Sequence, residues 1–515
     1  MSQTRRLDKT QVGKKLERGS GIFLPIFSLP SNGGIGTLGK EAYEFIDFLE
    51  KCKQKYWQIL PLGHTGYGDS PYSCYSFFAG NPLFIDFEIL KKDGIINNEI
   101  QLPDELKAKV KNNSRVDYGE VITKKYKQLR FVYKNCNNEK TPEILKFIEE
   151  NNNWIYEYGV FMALKNNFEG KPIWEWPEKL RVKDDQIIGK YWNQLRNDIN
   201  FYMFIQYLFF KQWKELKEYA NRKGIKIIGD MPIYPAADSC DVWTHPELFK
   251  VDKEELTAKY FSGVPGEGEN DPGQNWGNPV YNWQENKESG YSFWKERYEH
   301  NMKLYDIIRL DHFRGYANYW EIPVESKTPK EGMWKLGPGM DLFNNLYNEF
   351  GELNCIAEDL GNLDEVVFNL IKESGFPGMK VMIYGLHDYE NNMYLPHNWT
   401  QNSVAYLATH DSETLLEAIS YLSKEDKIFA NEYVGKPYSI EDLTDCFIRT
   451  IYQSPANIVI LQMQDLLRLG KEGRINLPGT ACGNWSWRIN KNEIDEELIS
   501  TIQDKLATMV KIYKR

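Results

Sequence analysis

The chain has 515 residues, of which 42% are hydrophobic, and a formal net charge of −10. This length and apolar content allow one large domain with insertions, or two or three ordinary domains. The acidic balance and the lack of a basic stripe argue against a nucleic-acid partner. No apolar run is long enough to span a bilayer, and the start of the chain lacks the apolar core of a secretion signal, so no membrane association or export is expected.

The number and spacing of the cysteines indicate the cellular compartment of the protein. There are seven, they are widely separated, and none has the Cys-x-x-Cys spacing of a zinc knuckle or a redox pair. An odd number of scattered cysteines is typical of reduced thiols. We therefore expect a cytoplasmic protein without a metal site.

The first predicted elements are a strand at 21–27, a glycine-rich loop at 31–39 and a helix at 41–51. The loop contains Gly-x-Gly-x-x-Gly, which must be weighed as a dinucleotide fingerprint. That fingerprint needs its glycines directly after the strand and an acid about 20 residues later. Residues 28–33 intervene here, and the next predicted strand, at 55–61, carries no acid. The glycines are interpreted as a tight loop instead.

Further along, residues of about 85–200 are helical and rich in lysine, which indicates an inserted helical subdomain. Residues of about 250–300 indicate a second, loop-rich insertion. The remaining predicted strands are at 224–232, 306–311, 353–359, 379–384, 403–411 and 457–462.

These buried strands, several preceded by helical patterns, predict a parallel sheet. Eight strands favour an α/β fold of the (β/α)8 TIM-barrel type with inserted, mainly helical subdomains, on a single catalytic domain of residues 1–515. A doubly wound sheet is the alternative. Four predicted strands end in an acid, namely Asp230, Asp311, Glu358 and Asp411. The strand ends of a barrel converge on the active site, which a doubly wound sheet would not explain.

The segment 307–315, Ile-Ile-Arg-Leu-Asp-His-Phe-Arg-Gly, is the densest group of charges at a strand end. Strand alternation places Arg309 and Asp311 on one face. The guanidinium is expected to lower the pKa of Asp311 and keep it ionised, as a nucleophile requires. A structural ion pair that caps the strand is the alternative interpretation.

Cleavage of a glycosidic bond with retention needs two carboxyl groups about 5–5.5 Å apart, one ionised and one protonated. Asp311 suits the nucleophile. Glu358 suits the proton donor, since it follows an apolar run and burial raises a carboxyl pKa. Asp411 suits a third acid that holds substrate hydroxyls, while Asp359 should point away. Each acid alone could equally be a helix cap or a loop charge.

At this point the chain strongly resembles the 4-alpha-glucanotransferases known as amylomaltase or disproportionating enzyme, glycoside hydrolase family 77 of the alpha-amylase clan. The resemblance runs over about residues 21–488. Its marks are the loop 28–39, Gly-Asp-Ser-Pro-Tyr at 68–72, Gly-Asp-Met-Pro at 229–232, Gly-Asn-Pro at 277–279, Arg-Leu-Asp-His-Phe-Arg-Gly at 309–315, Ala-Glu-Asp-Leu-Gly at 357–361, Thr-His-Asp at 409–411, Asn-Leu-Pro-Gly-Thr at 476–480 and Gly-Asn-Trp at 483–485.

The resemblance implies that Asp311 is the nucleophile, Glu358 the general acid/base and Asp411 the transition-state stabiliser. It implies that the substrate-binding residues are Ser70, Tyr72, Asp230, Trp276, Arg309, His312, His410 and Asn484. The implied activity moves a 1,4-alpha-glucan segment to a new 4-position. The implied donors are maltooligosaccharides and 1,4-alpha-glucans, and the acceptors glucose or maltooligosaccharides. Neither a metal nor an organic cofactor is implied.

Two departures from the family pattern stand out. The family often has Asn-Asp where this chain has Ser412-Glu413, although the preceding acid Asp411 is kept. The loop 265–272 lacks the aromatic residues that the family commonly carries there, and its glycines and acids predict weaker retention of acceptor sugars. Tyr260 or Phe261 could instead fill the same space.

Two other functions compete with transfer. The same acids would serve an alpha-amylase-type hydrolase, although the chain shows no C-terminal β-domain after the eighth predicted strand. A glucan-binding protein without catalysis would not need all three acids.

Overall fold

The structure, a computed structural model, describes residues 16–97, 103–106, 114–136, 141–266, 268, 271–387, 392–435 and 439–515. Within these residues the strands are β1 (Gly19–Phe23), β2 (Tyr56–Gln58), β3 (Lys226–Met231), β4 (Tyr260–Val264), β5 (Gln274–Pro279), β6 (Ile307–Leu310), β7 (Asn318–Pro323), β8 (Met333–Leu336), β9 (Cys355–Ala357), β10 (Gly378–Val381), β11 (Ser403–Tyr406) and β12 (Ile458–Gln462).

The α-helices of the described residues surround and connect these strands. They are α1 (Lys40–Lys51), α2 (Phe87–Lys92), α3 (Tyr118–Asn135), α4 (Pro142–Glu150), α5 (Ile155–Asn167), α6 (Glu178–Arg181), α7 (Asp185–Gln194), α8 (Arg196–Arg222), α9 (Cys240–Thr244), α10 (Trp283–Glu288), α11 (Ser292–Leu304), α12 (Arg314–Ala317), α13 (Met340–Phe350), α14 (Glu365–Ser374), α15 (Leu415–Tyr421), α16 (Lys424–Val434), α17 (Ile440–Gln453), α18 (Met463–Leu466) and α19 (Glu496–Tyr513).

Eight of the described strands close a parallel barrel in the order β1-β2-β3-β6-β9-β10-β11-β12, and β12 pairs with β1. Strands of such a barrel are buried on both faces and read as continuous apolar runs. The sequence Ile-Val-Ile-Leu-Gln of β12, every residue of which is buried, shows this pattern. The prediction of a (β/α)8 barrel is confirmed, and the doubly wound alternative was wrong.

A second sheet stands outside the barrel, with the strand order β5-β4-β7-β8. All its pairings are antiparallel. The segment 250–300 was expected to be loop-rich, but it holds β4, β5 and most of α11. Glycine and asparagine in β4 and β5 hide the strand pattern in the sequence.

Helices α2 to α7 lie within the predicted insertion at 85–200, between β2 and β3. Whether they form a separate subdomain stays a prediction. Part of this segment, residues 98–102, 107–113 and 137–140, lies outside the described residues.

Two local features differ from or refine the predictions. The first strand ends at Phe23, not at residue 27, and a 3-10 turn at Ile26–Ser28 follows Pro25, which has no backbone N–H for a ladder. The glycine-rich loop packs tightly, since a β-carbon at Gly36 would lie 1.7 Å from the carbonyl oxygen of Ile26.

Among the described residues, no helix combines the length and the apolarity that a membrane crossing requires.

Candidate active site

Arg309, in β6, is the centre of the charged cluster at the C-terminal end of the barrel. Its Nη1 donates to both carboxylate oxygens of Asp230, at 2.8 and 2.7 Å, and to Oδ1 of Asp311 at 3.0 Å. Its Nη2 lies 3.9 Å from Oε2 of Glu358. The alternation of β6 places Arg309 toward the barrel interior, so one buried guanidinium faces three carboxyl groups.

Glu358 follows β9 directly and is oriented by main-chain donors. Its Oε2 accepts a hydrogen bond from the N–H of His312 at 2.7 Å, and its Oε1 accepts one from the N–H of Leu360 at 3.3 Å. The neighbouring Asp359 accepts from the N–H of Met379 and so faces β10, away from Arg309, as expected. Backbone geometry therefore fixes where the Glu358 carboxyl lies relative to Asp311.

Asp411 lies in the loop beyond β11 and not at the strand end itself, since β11 ends at Tyr406. Its Oδ2 is 3.1 Å from Nε2 of His410. That nitrogen is also 2.8 Å from the hydroxyl of Tyr72, which donates to Asp230 at 2.8 Å. A chain of polar contacts therefore joins Asp411 to the Arg309 cluster through His410 and Tyr72.

The pKa values of the carboxyl groups are pushed apart. Burial, followed by the charges of Asp311 and Asp411, raises the pKa of Glu358 to about 8, although Arg309 opposes the shift. Burial would also raise the pKa of Asp411, but His410 and Asn476 hold it at about 2. The site thus separates a carboxyl that keeps its proton near neutral pH from one that does not.

Asp311 departs from the expectation that Arg309 would lower its pKa. Its pKa is raised to about 6, because burial and the charges of Asp230 and Asp411 together outweigh the opposing effect of Arg309. The sequence shows the neighbouring arginine but not the desolvation at the floor of the cleft. Asp311 nevertheless loses its proton before Glu358 does, because its oxygen lies closer to the guanidinium.

Among the other predicted residues, the indole ring of Trp276 lies edge-on to the His312 imidazole, with the ring centroids 4.8 Å apart. The hydroxyl of Ser70 accepts a hydrogen bond from the N–H of Tyr72, so Ser70 supports the turn that carries this tyrosine. Asn484 bonds within its own loop, to Leu477 and Thr480. The structure therefore brings Trp276, His312 and Ser70 against the central cluster, and Asn484 into the structure of a bordering loop.

Two residues near the acids were not assigned from the sequence. Asn476 donates to Oδ1 of Asp411 at 2.7 Å, and its N–H donates to the carbonyl of His410 at 3.2 Å. Tyr384 lies near the acids, since its pKa is raised first by burial and then by the charges of Asp411 and Glu358. Asn476 stands in the Asn-Leu-Pro-Gly-Thr motif, which was a signal for it, whereas Tyr384 had none.

Among the described residues, no group of three or more histidine, cysteine, aspartate or glutamate side chains could hold a metal ion. The cluster contains carboxyl groups, one guanidinium, one imidazole and one phenol. Such a set can supply a nucleophile, a proton donor and a charge stabiliser at one place.

Comparison with known proteins shows the enzyme family to which this chain is similar. A family model described as 4-alpha-glucanotransferase matches residues 24–493. A 4-alpha-glucanotransferase of Clostridium butyricum is 44% identical over 491 residues, which cover 95% of this chain and 99% of that protein. One of Aquifex aeolicus is 40% identical over 479 residues, which cover 92% of this chain and 96% of that protein.

A solved structure gives the same result. An amylomaltase from Streptococcus agalactiae, in complex with acarbose, superposes with a TM-score of 0.91 at 40% sequence identity. The match covers 97% of this chain and 100% of the other. The chain belongs to the 4-alpha-glucanotransferase family of enzymes.

Proposed function

We propose that the enzyme transfers a segment of a 1,4-alpha-D-glucan to the 4-position of an acceptor glucose or glucan by a retaining double displacement. The observation that supports this most directly is that Asp311 and Glu358 both lie beside Arg309, at 3.0 and 3.9 Å, with pKa values pushed apart. The acarbose bound by the S. agalactiae amylomaltase supports a saccharide ligand for the corresponding cleft.

In the first step, an Asp311 oxygen attacks the anomeric carbon of the donor as the glycosidic bond breaks. The electron pair of that bond stays on the departing oxygen, which takes the proton of Glu358. The enzyme then holds a glycosyl ester on Asp311, and Glu358 is ionised.

In the second step, Glu358 takes the proton from the 4-hydroxyl of an acceptor sugar. The acceptor oxygen attacks the anomeric carbon, the ester bond breaks and Asp311 regains its carboxylate. Two inversions give net retention. Water at the same place would give hydrolysis, so a bound acceptor favours transfer by excluding it.

The remaining polar groups hold the reacting sugar. Asp411, with the depressed pKa described above, is an anion next to the positive charge that develops on the sugar ring. Asp230 keeps Arg309 oriented through two hydrogen bonds. Tyr72 and His410 stack on each other, and their polar atoms connect Asp230 with Asp411.

We also propose that the enzyme works in the cytoplasm on maltooligosaccharides and longer glucans. The seven cysteines all lie among the described residues, none of them forms a disulfide bond there, and five are buried. Such residues are typical of proteins from a reducing compartment.

The nucleophile is tested by Asp311→Asn. This variant is expected to lower kcat by about 10⁴-fold, since the removal of one member of a covalent catalytic set has effects of this size. Asp341→Asn, on the outer helix α13, is the matched control and should keep full activity. A loss of tenfold or less in Asp311→Asn would contradict the assignment.

The covalent intermediate is tested with Glu358→Gln and maltotriosyl fluoride. Fluoride leaves without a proton, so the first step proceeds, while the second step lacks its base. Intact mass spectrometry should show an added maltotriosyl mass, and digestion should place it on Asp311. An adduct on another residue, or none while product forms, would exclude this mechanism.

Transfer is distinguished from hydrolysis by sizing the products of maltotriose. A ladder of longer maltooligosaccharides supports the proposed function. Maltose and glucose alone would indicate a hydrolase, and no change would indicate a binding protein.

A further inference from the structure

One guanidinium joins the loop of the proposed nucleophile to the loop of the proposed acid/base. Arg314 opens α12, shortly after Asp311 in the chain. Its Nη1 donates to the carbonyl of Asn362, and its Nη2 donates to Oδ2 of Asp364 at 2.7 Å. Both partners lie in the segment that follows Glu358 and leads into α14.

The partner carboxylate is itself fixed. Oδ1 of Asp364 caps α14 by accepting the N–H of Val367 at 3.1 Å. Its Oδ2 also accepts from Nδ2 of Asn318 at 2.7 Å. Arg314 therefore connects to a rigid helix start and not to a free loop side chain.

The other face of the guanidinium is covered by a ring. The Trp334 ring centroid is 3.9 Å from the Arg314 guanidinium carbon, and the ring of Trp320 lies edge-on to Trp334, with the centroids 5.1 Å apart. Only 11% of the Arg314 side chain is exposed. The guanidinium is thus largely shielded from water, whereas the Asp364 carboxylate is 41% exposed.

The turn between Asp311 and Arg314 is strained. His312 has a φ of 44°, in the left-handed region that residues with a β-carbon rarely adopt. From this conformation its N–H donates to Oε2 of Glu358 at 2.7 Å. A strained conformation persists only where the surrounding structure holds it.

We propose that Arg314 is the positioning residue that holds this turn and the segment after Glu358 together, and so keeps the Glu358 carboxyl on the His312 N–H. This inference rests on the proposed role of Glu358 as the acid/base. Arg314 touches neither Glu358 nor Asp311 in the contacts described, so it acts on the reaction only through the two loops. Trp334 serves by covering the guanidinium.

The loss of Arg314 is expected to impair selectively the step in which Glu358 gives its proton to the leaving group. A misplaced Glu358 delivers its proton poorly to a glucan leaving group. A fluoride leaving group needs no proton, so its departure depends on Asp311 but not on the placement of Glu358. Arg314 variants are therefore expected to separate the two kinds of donor.

The experiment compares Arg314→Met and Arg314→Lys with wild type on maltotriose and on maltotriosyl fluoride. Arg314→Met should lower kcat on maltotriose by about 100-fold, the effect of a displacement near 1 Å. The rate of fluoride release in the first turnover, which precedes the step that needs Glu358 as base, should fall by less than about fivefold. Arg314→Lys should restore part of the maltotriose rate. Equal losses on both donors, or an unchanged ratio, would overturn the proposal.

A matched control is Arg181→Met. Arg181 also donates to two carbonyls, of Trp176 and Glu254, pairs with a carboxylate, Glu255, and is 13% exposed, but it lies in the helical segment between β2 and β3. Its loss should leave the ratio of the two rates unchanged.

Two further measurements keep the test decisive. If Arg314→Met does not fold, as judged by circular dichroism, Trp334→Leu keeps the ion pair but exposes the guanidinium. That variant should shift the ratio of the maltotriose rate to the maltotriosyl fluoride rate in the same direction by a smaller factor, and an unchanged ratio would overturn the proposal.

If Glu358→Gln itself fails to separate the two donors, the assignment of the acid/base is wrong, which is a different failure from that of Arg314.

Discussion

At the scale of single residues, the titrations of Asp311 and Glu358 are linked, because the charge of Asp311 raises the pKa of Glu358. Arg309 favours ionisation of both, but it is nearer to Asp311. The active form of the pair therefore carries one proton, on Glu358.

This predicts a bell-shaped pH dependence of kcat/KM on maltotriose. Below about pH 6, protonation of Asp311 removes the proposed nucleophile, and above about pH 8, Glu358 loses the proton that it is proposed to give to the leaving group. Initial rates from pH 4 to pH 10 measure both limbs. With maltotriosyl fluoride as donor the alkaline limb should disappear in the glycosylation step. An alkaline limb of equal size with both donors would contradict the assignment of Glu358.

The same pKa shift predicts a pH-dependent effect on stability. A carboxyl whose pKa is raised by folding stabilises the folded state below its unfolded value of about 4.5, and this contribution is lost as pH rises toward the folded value of about 8. Glu358→Gln cannot ionise, so it should unfold at the same temperature as wild type near pH 4 and at a higher temperature at pH 9.

Differential scanning calorimetry at the two pH values tests this. We expect a difference of at least ~1 kcal/mol at pH 9, since one pKa unit corresponds to about 1.4 kcal/mol. Glu299→Gln, at a side chain that is 54% exposed, is the control and should show no such pH dependence. A lower melting temperature for Glu358→Gln at pH 9 would mean that the ionised carboxyl stabilises the fold.

Residue spacing predicted that the four acids meet, because parallel strands end at one rim of a barrel. It did not predict the direction of the Asp311 pKa shift. That shift depends on burial and on Asp230 and Asp411, which are distant in sequence. Desolvation is a property of the assembled cleft and leaves no mark in a local motif.

At the scale of elements, the glycines and acids of the loop 265–272 were expected to weaken the retention of acceptor sugars. Residues 267, 269 and 270 lie outside the described residues, but the two ends of the loop approach each other closely. Gly266 and Gly273 have φ values of 80° and 75°, and a β-carbon on Gly266 would lie 2.5 Å from the Gly273 nitrogen. Lys330 donates to the carbonyl of Gly268 at 3.0 Å. The weaker retention of acceptor sugars stays a prediction.

That prediction is tested by Glu269→Phe. It supplies an aromatic side chain and leaves Gly268, whose φ is 75°, unchanged. A ring that buries the apolar face of the acceptor is worth ~1 kcal/mol, so the ratio of transfer to hydrolysis on maltotriose should rise about fivefold. Glu269→Gln removes the charge without adding a ring and should change the ratio little. A ratio that does not rise in Glu269→Phe would place acceptor retention elsewhere, for example at Tyr260 or Phe261.

Another loop shows why part of the site escaped prediction. Asn476 and Asp411 are 65 residues apart, in loops that follow different strands, and meet through a 2.7 Å hydrogen bond. The motif at 476–480 indicated the family, but no local pattern indicates which acid an asparagine will reach. Contacts between loops depend on lengths and turns that periodicity does not record.

At the scale of the whole molecule, the barrel was predicted because its strands are buried on both faces and alternate with helices. The sheet of β4, β5, β7 and β8 was not predicted. Its edge strand β8, Met-Trp-Lys-Leu, is short and mostly exposed, so it lacks the alternation of a half-buried strand. Short edge strands of this kind are the elements that sequence patterns describe least well.

The chemistry of the entire cleft predicts that catalysis does not depend on a metal. The proposed steps use carboxyl groups and Arg309 alone, and Mg²⁺ or Ca²⁺ sites need several oxygen ligands at one place. Prolonged dialysis against EDTA should leave activity on maltotriose unchanged. Loss of activity that added calcium restores would refute this, and a calcium-dependent amylase treated in parallel shows that chelation was complete.

The closure of the barrel by β1 and β12 has a consequence for biosynthesis. The seam is also tied by Arg18, whose guanidinium donates to the carbonyl of Ala456, 438 residues later in the chain. At about 5–20 residues per second, a ribosome needs roughly 20 to 90 s to synthesise the intervening polypeptide. Throughout that interval the nascent chain presents the unpaired edge of β1, which is a template for pairing with other strands. Translation that stops before β12 therefore yields an open, aggregation-prone fragment, and chaperone protection during elongation should matter more to the yield of this enzyme than protection after release.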